Sequence, residues 1–153
     1  MKLDYLANKP NLIPLLAKWY FEEWGQYVPE VTLDSEITRL KTCLHTNDIP
    51  MVMIALEGDQ LIGAAQIKYH EMSQFPEKEH WLGSVYTSGE HRGKGIAQQI
   101  ILALLDKAKM LDIPTLFLQT ERLDGGLYQK MGWSPVIRTQ NHRIEVLVME
   151  RHI

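Results

Sequence analysis

The chain has 153 residues, enough for one domain with a sizeable core, since domains typically span about 100–200 residues. Its 16 basic and 19 acidic residues give a net charge of −3, too small and too mixed to favour nucleic-acid binding, and a 45% hydrophobic composition excludes disorder. The single cysteine, Cys43, excludes an intramolecular disulfide, and no apolar run approaches the roughly 20 residues of a membrane span, so we expect one cytoplasmic domain over 1–153 that binds no membrane.

The first part of the chain predicts one short strand and two helices. Leu3 to Leu6 indicate the strand, and apolar residues spaced by three and four predict a helix over about 10–24, which Gly25 ends. Asp34 or Ser35 is expected to cap the second helix, because either side chain can accept a hydrogen bond from a free N–H group. The apolar stripe of that helix consists of Leu33, Ile37, Leu40 and Leu44.

Three strands are predicted next. The apolar run Met51–Leu56 predicts a buried strand, the turn at Gly58-Asp59 reverses the chain, and Leu61–Tyr69 returns as the partner strand. A polar loop over 71–79 then leads to a further strand at Trp81–Thr87.

The remaining elements complete an alternating pattern. A strong helical stripe starts at Ile96 and stops before Pro114. It is followed by a strand over 115–119, a short helix over 124–131 and two closing strands, Val136-Ile137 and Ile144–Met149. The order β-α-α-β-β-β-α-β-α-β-β predicts an α/β fold, with a mixed central sheet of about six or seven strands and about four helices on its two faces.

A candidate anion site lies between the strand at 81–87 and the long helix. Gly93 and Gly95 permit positive φ and close approach of a ligand to the backbone, while Arg92 and Lys94 add positive charge. The following helix leaves its first N–H groups unpaired, and its dipole favours a negative charge there. A diphosphate is the ligand that this combination favours most.

Two common phosphate motifs do not fit this segment. A P-loop needs a hydroxyl residue directly after its lysine, but Gly95 follows Lys94, which disfavours a nucleotide-binding regulator. A dinucleotide fingerprint needs a third glycine where Gln98 stands. The simplest alternative is a glycine-rich turn without a ligand, which leaves the two cations at a helix start unexplained.

Three segments resemble the GNAT superfamily of N-acetyltransferases. Arg92-x-x-Gly95-x-Ala97 matches the family signature Arg/Gln-x-x-Gly-x-Gly/Ala. Ser84-Val85-Tyr86-Thr87 is similar to the fourth strand of the family, and Leu127-Tyr128-x-x-x-Gly132-Trp133 resembles its later Phe/Leu-Tyr-x-x-x-Gly-Phe motif. The resemblance covers residues 50–150 best, and it implies the GNAT acyl-CoA N-acyltransferase fold.

The resemblance implies acetyl-CoA as co-substrate and no metal. The coenzyme would lie where the strands at 81–87 and 115–119 splay apart. The fourth strand would hold the pantetheine arm, the glycine loop would hold the pyrophosphate, and Tyr128 would protonate the departing thiolate. The implied cofactor-binding residues are Val85, Tyr86, Thr87, Arg92, Gly93, Lys94, Gly95, Ile96 and Ala97.

The amine acceptor needs a base and a binding surface. By the resemblance, Glu79 is the first candidate base, because counting back from Arg92 places it where the related histone acetyltransferases carry their glutamate. Glu71, His70 and His80 are the alternatives near the same loop. Helices one and two and the loop before the fourth strand should form the acceptor site, with Trp24, Tyr27, Glu71, Met72 and Trp81 as candidates. The chain departs from the family pattern at Glu121 and Asp124, which predict an acidic rim on the coenzyme side.

The resulting hypothesis is an N-acetyltransferase in which a primary amine of a small molecule or peptide attacks acetyl-CoA directly. The alternative is a non-catalytic acyl-CoA-binding module of the same fold, used for sensing or assembly. Tyr128 distinguishes the two, because a binding module needs no acid beside the sulfur. The closing hairpin at 136–149 is a candidate for pairing across a homodimer.

Overall fold

A computed structural model describes all residues from 1 to 153, and its centre is one seven-stranded sheet with the order β1-β2-β3-β4-β5-β7-β6. The strands are β1 (Lys2–Tyr5), β2 (Met51–Glu57), β3 (Gln60–Tyr69), β4 (His80–Thr87), β5 (Thr115–Thr120), β6 (Ser134–Asn141) and β7 (Ile144–His152). The α-helices are α1 (Ile13–Glu23), α2 (Leu33–Lys41), α3 (Ile96–Met110) and α4 (Gly126–Lys130). None of them combines the length and the apolar character needed to cross a bilayer.

The helices cover both faces of the sheet. Tyr20 of α1 and Leu40 of α2 pack with Ile54 of β2 in one core. Ile100 of α3 packs with Leu82 of β4 in a second core on the opposite face. The predicted order of elements and the α/β fold class are therefore confirmed.

The start of α2 differs from the prediction. Thr32, not Asp34 or Ser35, is the N-cap, and its side chain accepts from the Ser35 N–H at 3.0 Å. Ser35 Oγ accepts in return from the Thr32 N–H at 2.9 Å, so the two residues form a capping box. The helix therefore begins at Leu33, whose side chain is exposed rather than part of the apolar stripe.

Strands β4 and β5 separate, and this opens the middle of the sheet. They are the only parallel neighbours, and their ladder consists of one pair, Trp81 opposite Phe117. On its other side β4 stays paired with β3 as far as Thr87. That pairing contains a bulge, because Ala64 faces Tyr86 whereas Gln66 faces Gly83. A bulge bends its strand, so the carboxyl half of β4 turns away from β5 and leaves a gap.

Candidate active site

A cleft of about 400 Å³ lies in the gap between β4 and β5. Its walls come from β4, the end of β5, the last turn of α1 and the first turn of α4. A second cavity of about 320 Å³ adjoins it around the start of α3 and shares the lining residues Thr87, Arg92, Ala97 and Leu127. The two cavities together form a long groove that runs from α1 to the glycine loop.

The glycine loop has the geometry of an anion site. Gly93 and Gly95 adopt φ values of 78° and 75°, and no atom lies within 4 Å of where a Cβ would stand on either residue. The first helical bond of α3 runs from the Gln99 N–H to Gly95 O at 3.2 Å. The N–H groups of residues 93–98 therefore have no acceptor within the chain, and they border the second cavity. An anion can use these donors, and the α3 dipole favours it.

Two side chains brace this loop. Arg92 donates from Nε to Thr87 O at 3.0 Å, and its guanidinium lies 5.6 Å from the centre of the Tyr86 ring. The buried His91 donates from Nε2 to Glu57 Oε2 at 3.0 Å, while its Nδ1 lies 2.7 Å from Ser88 Oγ. These contacts tie the loop to the ends of β2 and β4, so its donors are held in place before a ligand arrives.

Tyr128 lies in the wall of the cleft on the first turn of α4. Its ring packs edge-on against Trp133 at 6.1 Å, and its hydroxyl makes no hydrogen bond within the chain. Burial, and in second place the negative charge of Glu71, raise the pKa of Tyr128 to about 12. The phenol is therefore protonated and free to donate to a group bound in the cleft.

The predicted acidic rim is partly neutralised. Arg122 donates to both carboxylate oxygens of Asp124, at 3.3 and 3.0 Å, and the Gly126 N–H also donates to Asp124 at 3.0 Å. The Arg122 guanidinium, and after it the Gly126 N–H, hold the pKa of Asp124 below its usual range. Arg122 itself lines the cleft, so this wall contributes a cation as well as a carboxylate.

The predicted coenzyme residues are brought together. Val85, Tyr86, Thr87, Arg92 and Ala97 line the first cavity, and the glycine loop with Ile96 lines the second. Lys94 is exposed beside them in the same loop.

The predicted acceptor residues separate into two groups. Trp24 lines the cleft and lies edge-on to Tyr86, with ring centres 6.3 Å apart. Tyr27 is 72% exposed and is not part of the cleft wall. Trp81 is fully buried, and its indole N–H donates to Lys78 O at 2.7 Å, so its side chain belongs to the core together with Met72.

The candidate bases also differ in position. The side chain of Glu79 is 58% exposed just before β4, and its Oε1 lies 3.9 Å from His80 Nε2. The imidazoles of His70 and His80 pack against Tyr69, with ring centres 6.3 and 5.3 Å from its ring. The side chain of Glu71 is only 15% exposed and is paired with Lys68.

Sequence reasoning did not identify six further lining residues of the cleft, namely Glu23, Thr120, Arg122, Gly125, Gly126 and Leu127. Thr120 is the last residue of β5, and Arg122 follows two residues later. Ligand sites form at the carboxyl ends of parallel strands. The position of Thr120 and Arg122 at the end of this strand could therefore have identified them as candidate site residues from the sequence.

Comparisons with known proteins agree with this architecture. A model of the acetyltransferase (GNAT) family matches residues 10–133, so the chain belongs to the GNAT acetyltransferase family, as the motifs predicted. No curated protein sequence matches the chain with significant similarity.

Three solved structures with the same fold are 15–17% identical to the chain in sequence. Aminoglycoside 6'-acetyltransferase type Ii has a TM-score of 0.75 at 16% identity, over 99% of this chain and 97% of that chain. An aminoglycoside 6'-N-acetyltransferase in complex with coenzyme A has a TM-score of 0.76 at 15% identity, with the same coverage. A ribosomal-protein-alanine N-acetyltransferase from Brucella melitensis has a TM-score of 0.73 at 17% identity, over 100% of both chains.

Proposed function

We propose that this protein transfers the acetyl group of acetyl-CoA to a primary amine by direct attack within a ternary complex. The observation that carries the proposal is the groove itself, which has an anion-binding loop at one end and the free, protonated hydroxyl of Tyr128 in its wall. Family membership supports acetyl transfer, and the similar fold solved with coenzyme A supports the co-substrate.

The residues of the groove fit the coenzyme. The unpaired N–H groups of 93–98 match the oxygens of a pyrophosphate, and Lys94 and Arg122 add positive charge at the two sides of the groove. The β5-facing edge of β4 beyond Leu82 has no strand partner, so its backbone groups remain for the amides of a pantetheine arm, except Ser84 O and Thr87 O, which accept from the Tyr20 hydroxyl and Arg92 Nε. When bound, the coenzyme supplies an activated thioester.

The chain's own groups would assist the transfer in two ways. A backbone N–H near Val85 or Tyr86 would donate to the thioester oxygen, where negative charge develops during attack. The Tyr128 hydroxyl would donate its proton to the sulfur as the C–S bond breaks. The first donor belongs to β4 in the sheet and the second to α4, which packs against the core, so little reorganisation is needed.

Direct attack is favoured over an acetyl-cysteine intermediate. Cys43 is the only cysteine and is buried between α2 and the sheet, where it donates to Arg39 O at 3.4 Å. Burial raises the pKa of the Cys43 thiol, which disfavours the nucleophilic thiolate. The cysteine is also absent from the lining of the cleft.

The amine would enter beside α1, where Glu23 and Trp24 border the cleft. An aromatic face and a carboxylate suit a cationic amine, since both attract the ammonium form. A small-molecule amine and a peptide N-terminus both remain in the proposal, because the similar folds include enzymes named for aminoglycosides and for a ribosomal-protein alanine.

Two measurements test this function. Calorimetric titration with acetyl-CoA should give micromolar affinity, on the order of −8 kcal/mol, and no heat at millimolar coenzyme would exclude the coenzyme site. Thiol release should then be followed with an aminoglycoside, a peptide with N-terminal alanine, a lysine peptide and a polyamine. Binding without thiol release from any of these amines would favour the alternative of a non-catalytic acyl-CoA-binding module.

A further inference from the structure

A half-buried ion pair on β3 and the following loop has no evident structural task. Lys68 Nζ lies 2.8 Å from Glu71 Oε1 and donates to Ser84 Oγ at 3.1 Å. The two side chains are only 20% and 15% exposed. Burying an ion pair gains little stability, because the loss of hydration offsets the attraction. Such a pair is a candidate for a functional role.

The pair stands over the point where β4 leaves β5. A Cβ on Gly83 would lie 2.7 Å from Glu71 Oε1 and would also touch Lys68 Cε, so only glycine leaves room for the pair. Gly83 is two residues after Trp81, the last residue of β4 that pairs with β5. By the alternation of a strand, Gly83 shares its face with Trp81, which is the face opposite Leu82 and α3.

Glu71 and Tyr128 thus approach the gap from different sides. Tyr128 is on α4 and packs against the core that includes α3, whereas Glu71 stands over the other face of β4. Burial and, in second place, the charge of Glu71 raise the pKa of the Tyr128 phenol. Glu71 Oε2 has no partner in the chain, so one carboxylate oxygen is free.

We propose that Glu71 receives the proton of the incoming ammonium group and that Lys68 is the positioning residue that holds Glu71 over Gly83. This inference rests on the proposed acetyl transfer and names the base for it. Glu71 is preferred to Glu79 because the carboxylate of Glu79 is mostly exposed and lies beside His80. Glu71 is fixed by an ion pair at the gap.

The proton transfers balance. One proton passes from the ammonium RNH3+ to Glu71 and then to solvent, which leaves the amine RNH2. The nitrogen lone pair forms the C–N bond, the electron pair of the C–S bond leaves on sulfur, and Tyr128 gives that sulfur its proton. The second proton lost by nitrogen returns to the Tyr128 oxygen, so both side chains end in their initial state.

Glu71→Gln tests the base directly, with the amine that releases thiol fastest in the screen. We expect kcat to fall by about 10² to 10⁴ near neutral pH, while the calorimetric affinity for coenzyme A stays unchanged. The deficit should narrow as the pH rises toward about 10, where an alkylamine loses its proton unaided. At this pH Tyr128 is still protonated. The charged group in contact with Glu71 is Lys68. A purely structural role for Glu71 would not produce this recovery.

Glu77→Gln is the matched control, because Glu77 is in the same loop and is 63% exposed. Glu79→Gln is the competing variant. A loss with high-pH recovery in Glu79→Gln but not in Glu71→Gln would overturn the assignment and leave the proposed function standing. If no amine releases thiol with the wild-type protein, the proposed function itself fails.

Lys68 and Gly83 test the positioning. Lys68→Met should lower kcat on the order of 10- to 100-fold with little change in the coenzyme affinity, since a displaced catalytic group costs about that much. Lys68→Arg keeps the charge and should restore part of the rate. Gly83→Ala should reproduce the loss in kcat with little change in melting temperature, because flexible side-chain ends are the displaced atoms. Full activity in both Lys68→Met and Gly83→Ala would refute the positioning role.

Discussion

At the scale of single residues, the Tyr128 hydroxyl gives the most specific expectation. Tyr128→Phe keeps the ring and its contact with Trp133, and it removes a hydroxyl that has no partner within the chain. Turnover should fall by about 10² to 10⁴, the usual contribution of a positioned acid, while coenzyme affinity and melting temperature stay close to wild type. Steady-state thiol release and calorimetry with coenzyme A measure both effects.

The pH dependence gives an independent check on Tyr128. The hydroxyl acts in its protonated form, and its pKa is raised to about 12 by burial and by Glu71. The acid is therefore present at every pH below about 11, and its ionisation should cause no fall in rate between pH 7 and 10. Turnover by Tyr128→Phe equal to that of the wild type would remove this residue from the mechanism.

The sequence singled out Tyr128 and included Glu71 among the candidate bases, but it did not indicate that Glu71 pairs with Lys68. The motif around Tyr128 is contiguous in the chain, so it is visible without a structure. Lys68 and Glu71 are three residues apart, but they meet only because His70, with φ at 47°, turns the chain back after β3. Positive φ at a histidine is uncommon, and the sequence pattern gave no reason to expect the fold-back.

At the scale of elements, the turn into α3 is open to a test with a matched control. Gly95 and Gly58 have φ values of 75° and 60°, and neither has an atom within 4 Å of an added Cβ. Alanine at either position should cost about 1–2 kcal/mol of unfolding free energy, because an L-residue is strained in this conformation. Only Gly95→Ala should also weaken the binding of coenzyme A, since Gly95 lines the second cavity, where the phosphates are proposed to bind.

Denaturant unfolding and calorimetry separate the two effects of these variants. Gly58 lies in the turn between β2 and β3 and is not part of the groove, so Gly58→Ala reports the backbone strain alone. Equal coenzyme affinities in the two variants would argue against a phosphate at the start of α3.

Element boundaries were predictable where local chemistry sets them. The start of α3 follows from the glycine turn, and its end at Met110 follows from Pro114 a few residues on. The gap between β4 and β5 was not visible in the residues alone, because it depends on a single ladder pair and on a bulge against β3. The ladder pair and the bulge depend on strand pairing between residues that are far apart in the chain. Only the family resemblance implied that the two strands separate.

At the scale of the whole molecule, the open sheet joins two differently charged sides. The net charge of −3 includes the cations of the glycine loop and Arg122 at the end of β5, while Glu23 borders the groove near α1. Since β4 and β5 share one pair, the sheet is interrupted at its centre without being divided. A ligand from each face can therefore meet within the gap, which a continuous sheet would prevent.

This arrangement predicts that coenzyme binding stabilises the entire fold. A ligand at 100 times its Kd adds about 2.7 kcal/mol to the unfolding free energy, which corresponds to a rise of roughly 5–10 °C in Tm for a protein of this size. Thermal unfolding should show this rise with coenzyme A. Pantetheine, which lacks the phosphates, should give a much smaller one at the same concentration. Added salt should reduce only the coenzyme A effect, since it screens the exposed cations around the glycine loop. Equal shifts with both compounds would show that the pantetheine arm provides the binding free energy and that the loop contributes no anion site.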